Sequence, residues 1–126
     1  MIKYFLLILL SCLISDKPKS LIIGDSLSCY SNGWQDKISK TGGYQLTNIA
    51  KGGKRTDWML KRLSEHLDSF KYQKIYIYGG INDMFSGVQI QSGIENIQQM
   101  VNISLEHGTK VIVIVGYDPN KVNIKT

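Results

Sequence analysis

Apolar residues in this chain fall into short dense runs, separated by stretches in which they recur every three or four positions. Leu21-Ile22-Ile23, Tyr44-Gln45-Leu46-Thr47-Asn48-Ile49, Ile75-Tyr76-Ile77-Tyr78 and Val111-Ile112-Val113-Ile114-Val115 are rich in β-branched or aromatic residues. Glycine or polar residues bound each run, so the pattern predicts four strands. Between the last two, Ile90, Ile94, Ile97, Val101 and Leu105 recur at helical spacing, which predicts a helix over 88–107 that Gly108 stops. A second helix is predicted over 57–67, with Leu60, Leu63 and Leu67 on one face and Thr56 as its cap. A weaker one covers 34–40, before the Gly42-Gly43 break. Strands alternating with helices require crossover connections, hence a parallel sheet with helices on both faces. The fourth run is wholly apolar, as a central parallel strand should be. The chain carries no internal repeat and no low-complexity tract.

The N-terminus has a different character. Met1-Ile2-Lys3 is a short positive start, followed by the unbroken apolar run Tyr4 to Leu10 and then Ser11-Cys12. This reads as a secretory signal over 1–15, because the run falls well short of the ~18 apolar residues of a spanning helix. Leu9-Leu10-Ser11-Cys12 resembles a bacterial lipobox, in which Cys12 would be lipidated. A Cys12–Cys29 disulfide is the competing possibility. Residues 16–20 read as a tether and 21–126 as the folded domain. The expected location is therefore outside the cytoplasm: periplasmic, at the cell surface, or anchored to a membrane through the lipid alone.

The 126 residues suffice for one domain, and 43% hydrophobic with 20% charged residues is the composition of a packed globular protein. A net charge of +5 is spread along the chain without a long basic run, which argues against a dedicated nucleic-acid groove. Two cysteines and two histidines, scattered along the chain, argue against a structural zinc site. Neither a metal nor a cofactor is expected. Gly53-Lys54 fails the phosphate-loop pattern twice, since Asn48 and Arg55 stand where Gly and Ser/Thr are needed. No Gly-x-Gly-x-x-Gly follows any strand. Asp25 and Asp83 lack further ligands and read as turn or cap residues. Tyr76 and Tyr78 read as sheet packing.

In a parallel α/β sheet, ligands bind outside the carboxyl ends of the strands. The loops there hold Gly24-Asp25-Ser26-Leu27-Ser28, Ala50-Lys51-Gly52-Gly53-Lys54-Arg55-Thr56, Gly79-Gly80-Ile81-Asn82-Asp83 and Gly116-Tyr117-Asp118-Pro119. Ser26 at a strand-to-helix turn is a candidate nucleophile. Gly52-Gly53 permits close approach of a backbone N–H, and Asn82 offers a side-chain amide. With the Ser26 N–H these are three donors for a developing oxyanion.

Here the sequence resembles the GDSL, or SGNH, hydrolase family of esterases and lipases. Leu21 to Ser28 is similar to the family's first block, which implies that Ser26 is the nucleophile and an oxyanion donor. Asn48 to Gly53 is similar to the second, whose glycine donates its N–H; that role falls to Gly53. Tyr78 to Asp83 is similar to the third, whose asparagine is a further donor; that role falls to Asn82. The resemblance implies a three-layer flavodoxin-like fold. It also implies ester hydrolysis through an acyl-enzyme, on a small-molecule or glycan ester such as an acetylated envelope polysaccharide. The fourth block, Asp-x-x-His, has no counterpart after Val115. The expectation is thus a domain shortened at its C-terminus, or one whose Asp-x-x-His comes from a second chain. His66 and His107 fall near helix C-termini, at the sheet edge opposite Ser26, and are not substitutes. Asp118 is a weak one. The alternative function is an impaired fragment or pseudoenzyme that binds an ester or glycan without turnover.

Overall fold

The computed structural model describes residues 17–115. The signal segment, Cys12 with its lipid or disulfide, and Asp118 lie outside the described residues. Four strands, β1 (Lys19–Gly24), β2 (Gln45–Asn48), β3 (Lys74–Gly79) and β4 (Lys110–Val115), pair in parallel in the order β2-β1-β3-β4. Helices α1 (Ser26–Cys29) and α2 (Trp34–Thr41) follow β1, and α3 (Thr56–Ser69) follows β2. Helices α4 (Ile81–Phe85) and α5 (Ile90–Glu106) join β3 to β4. This is the α/β parallel-sheet architecture expected, and its strand order is that of the flavodoxin-like class.

The period-two alternation of the strands divides the sheet into two faces. Leu21, Ile23, Ile75 and Ile77 pack with Met59, Leu63 and Leu67 of α3 and Ile97, Met100 and Val101 of α5 in one buried cluster. Each such fully buried side chain contributes roughly 1.5–3 kcal/mol by leaving water. On the other face Trp34 of α2 lies against Tyr76 and Tyr78, with ring centroids 5.7 and 6.1 Å apart. The two tyrosines are sheet packing, as expected.

Four details depart from the sequence reading. β1 begins at Lys19, inside the expected tether, because backbone pairing with Gln45 and Lys74 recruits Lys19 and Ser20 whatever their polarity. β4 is apolar yet stands at the sheet edge among the described residues, pairing with β3, and Ile112 is 40% exposed. Thr56 is the first residue of α3, not its cap. Helices α1 and α4 were not predicted, since four or five residues are too few to show a helical period.

The topology places the site. The chain passes from β1 outward to β2 and then returns to lay β3 on the opposite side of β1. A crevice opens where strand order reverses, outside the carboxyl ends of β1 and β3.

Candidate active site

The first wall of that crevice is the turn after β1. Gly24 passes so close to its neighbours that a Cβ would lie 2.7 Å from Ser28 Oγ and 2.8 Å from the Tyr78 carbonyl oxygen. Asp25 caps α1, its Oδ1 accepting from the Leu27 N–H at 3.0 Å. Its side chain is fully buried, and Oδ2 has no partner among the described residues. Burial therefore holds the Asp25 carboxyl above the usual carboxylate range, against the opposing pull of the Leu27 N–H. Ser26 opens α1, half-buried, and its Oγ makes no hydrogen bond among the described residues.

The second wall is the loop after β2, held against β1 by hydrogen bonds that continue the strand ladder. Ile49 N–H donates to the Ile22 carbonyl at 2.9 Å, and Lys51 N–H to the Gly24 carbonyl at 3.0 Å. Asn48 staples the corner: its Nδ2 donates to the Ser28 carbonyl at 2.7 Å, and its Oδ1 accepts from the Ala50 N–H at 3.0 Å. The loop thereby carries Gly52 beside the serine, where a Cβ on Gly52 would lie 3.8 Å from Ser26 Cβ. Gly53 follows with φ +72°, a left-handed conformation that side chains resist.

The third wall is the turn after β3. Asn82 is half-buried and its Nδ2 donates to the Lys54 carbonyl at 3.0 Å, which ties it to the residue following Gly53. An amide has two N–H donors, so one remains for a ligand. Asp83 is buried, its Oδ1 accepting from the Thr56 N–H at 2.9 Å and its Oδ2 from Thr56 Oγ1 at 2.7 Å. It is the cap of α3, supplied from another strand's loop. Asn96 of α5 completes the junction by donating to Thr56 Oγ1 at 3.0 Å. Asn82 and Asp83 thus clamp the Gly53 loop at Lys54 and Thr56.

Ser26, Gly53 and Asn82 are therefore brought to one edge of the sheet by three connected loops. Sequence reasoning missed the Asn48 staple and the Asp83–Thr56–Asn96 junction. The signals available were an Asn ending a strand and an Asp just after one, and neither names a partner 20 or 27 residues away.

Both histidines lie elsewhere. His66, in the last turn of α3, pairs with Tyr72 Oη through Nε2 at 2.6 Å and stacks on Phe70. It lines a hollow with Lys19 and Gln45, the first residues of β1 and β2, at the edge opposite Ser26. Desolvation, then the nearby Arg62 charge, lowers its pKa. His107 caps the C-terminus of α5, with Nδ1 2.8 Å from the Ile103 carbonyl oxygen. Helix-end roles account for both.

The profile of the GDSL-like Lipase/Acylhydrolase family matches residues 22–125. No curated protein sequence matches the chain. Among solved structures, a psychrotrophic esterase EstA from Pseudoalteromonas sp., inhibited by monoethylphosphonate, is 22% identical with a TM-score of 0.67, over 82% of this chain and 65% of its own. TesA is 26% identical with a TM-score of 0.67, over 75% of this chain and 58% of its own. A mutant of the esterase AlinE4 is 20% identical with a TM-score of 0.72, over 85% of this chain and 64% of its own. The chain spans about three fifths of the length of these structures.

Proposed function

Because this chain belongs to the GDSL-like Lipase/Acylhydrolase family, we propose that its site performs ester hydrolysis through an acyl-enzyme on Ser26. Ser26 Oγ attacks the ester carbonyl and loses its proton to a base, and the tetrahedral adduct expels the alcohol. Water then releases the acid from the acyl-serine. The N–H groups of Ser26 and Gly53, with the Asn82 amide, stabilise the oxyanion. The observation that carries this reading is the connection of the three loops at one strand edge, with Ser26 Oγ free of hydrogen bonds among the described residues. By family resemblance the base is an Asp-x-x-His pair, a pattern that residues 1–126 do not contain. The substrates are exported or envelope-associated esters, including acetylated glycans, reached by export through the N-terminal signal and anchorage at Cys12.

A second reading starts from the histidines present in residues 1–126. The chain's two histidines both serve at helix ends, at Tyr72 and at the Ile103 carbonyl, so neither activates Ser26. On that reading the crevice binds an ester or glycan without turnover. Labelling by a fluorophosphonate separates the two, and the EstA structure inhibited by monoethylphosphonate makes the reagent class apt. Stoichiometric labelling of the wild-type chain, abolished in Ser26→Ala, supports the hydrolase. A folded wild-type protein that stays unlabelled, alone and with a chain supplying the histidine, refutes it.

A further inference from the structure

Directly beyond Gly53 the molecule has a wide, open cavity of about 510 Å³ with a cationic lining. Lys54, Arg55 and Lys61 border it, against one carboxylate, Asp57. Asp57 is already committed: Arg55 Nη2 donates to it at 2.8 Å and holds its carboxyl below the usual range. Lys54 and Lys61 make no ion pair among the described residues. The indole of Trp58 forms an apolar wall, with Lys54 Nζ 5.5 Å from its centre. Two unneutralised cations beside an aromatic plate suit a compact anion attached to a less polar body.

The position of this cavity is as informative as its charge. Gly53 lines it and Gly52 lies against Ser26, so the cavity begins one residue along the chain from a neighbour of the proposed nucleophile. Lys54 and Arg55 stand on the segment pinned by Asn82 at the Lys54 carbonyl and by Asp83 at the Thr56 N–H, and Lys61 follows in the helix that this segment opens. An anion held there would sit in fixed register with the oxyanion donors. We infer that this cavity is a subsite for an anionic group of the substrate, so that the ester taken carries a carboxylate or phosphate on the side facing Gly53. The inference rests on the ester-hydrolase reading of Ser26 for its catalytic meaning, but its binding test does not.

The test is a titration of the chain, followed by tryptophan fluorescence and calorimetry, with two matched pairs of probes. Galacturonate is set against galactose, and glycerol 3-phosphate against glycerol. Saturable binding of an anion but not of its neutral counterpart is expected, weakened by salt because Lys61 is exposed and Lys54 only half-buried. The Lys54→Ala/Lys61→Ala double variant should lose about tenfold in affinity, as removal of a charge-assisted contact does. Lys61→Glu, on an exposed position, repeats the test should the double variant not fold. Ser26→Ala should bind as wild type. The preferred anion distinguishes a sugar acid from a phosphorylated alcohol. Equal binding of neutral probes, wild-type affinity in the lysine variants, or no saturation by about 10 mM would each overturn the subsite. If Ser26 labels while no anion binds, the subsite alone falls; if anions bind while Ser26 stays unlabelled, the hydrolase reading alone falls.

Discussion

Replacing Asp83 by alanine should unfold the junction between the site and the core. The buried carboxylate accepts two hydrogen bonds, from the Thr56 N–H and the Thr56 hydroxyl. The first is the cap of α3, and losing a cap costs about 1–2 kcal/mol. The second is a buried bond to a charged acceptor, worth about 1.5–3 kcal/mol. Together they predict a loss of roughly 3–4 kcal/mol in Asp83→Ala, since the Thr56 N–H would be left buried without a partner. A domain of this size changes its midpoint by about 4–8 °C per kcal/mol, so the thermal transition should fall by more than about 10 °C. Urea unfolding of Asp83→Ala, Thr56→Val and the double variant measures the coupling directly. Because Thr56→Val removes the hydroxyl bond and keeps the N–H bond, the cycle reports the hydroxyl–carboxylate pair and should return an interaction energy of about 1–3 kcal/mol. Fluorophosphonate labelling should fall in parallel, as the clamp on the Gly53 loop opens. An Asp83→Ala loss below about 1 kcal/mol, or additive single variants, would refute the claim that this carboxylate holds α3 and the loop together.

Two further substitutions probe the same edge. Gly53→Ala places a side chain at φ +72° in open space, so the expected cost of about 1–2 kcal/mol is conformational, whereas Gly52→Ala meets ordinary contacts at 3.7–3.8 Å and should fold normally; equal urea midpoints for the two variants would show that the left-handed turn is not required. Asp25→Asn keeps the cap on Leu27 but cannot ionise. With its folded pKa raised by burial, Asp25 contributes its full stability below its unfolded value of about 4 and loses it as pH rises through the folded value. Wild type should therefore fall in stability relative to Asp25→Asn as pH rises from acid to neutral, and parallel melting curves across that range would count against a desolvated carboxyl.

Much of this protein is determined locally and is legible along the chain. Ile75 to Tyr78 and Val111 to Val115 declare their strands by dense β-branched and aromatic composition, and the spacing of Ile90, Ile94, Ile97 and Val101 declares α5, because burial of one face acts over three or four residues. The same local logic assigns Ser26, Gly53 and Asn82 to strand-end loops. Tertiary structure decided what those loops do to one another. The Asn48 side chain reaches the Ser28 carbonyl across 20 residues, Asn82 reaches Lys54 across 28, and Asp83 caps a helix 27 residues away. The first bond depends on β2 pairing with β1, and the other two on β3 folding back beside β1 on the side opposite β2. No periodicity encodes that arrangement, since a polar residue in a turn has the same local propensity whether its partner is water, its own backbone or a distant helix. For the same reason Lys54 and Lys61 read as scattered charge in sequence, and become neighbours around one cavity only when α3 starts beneath the Gly53 loop.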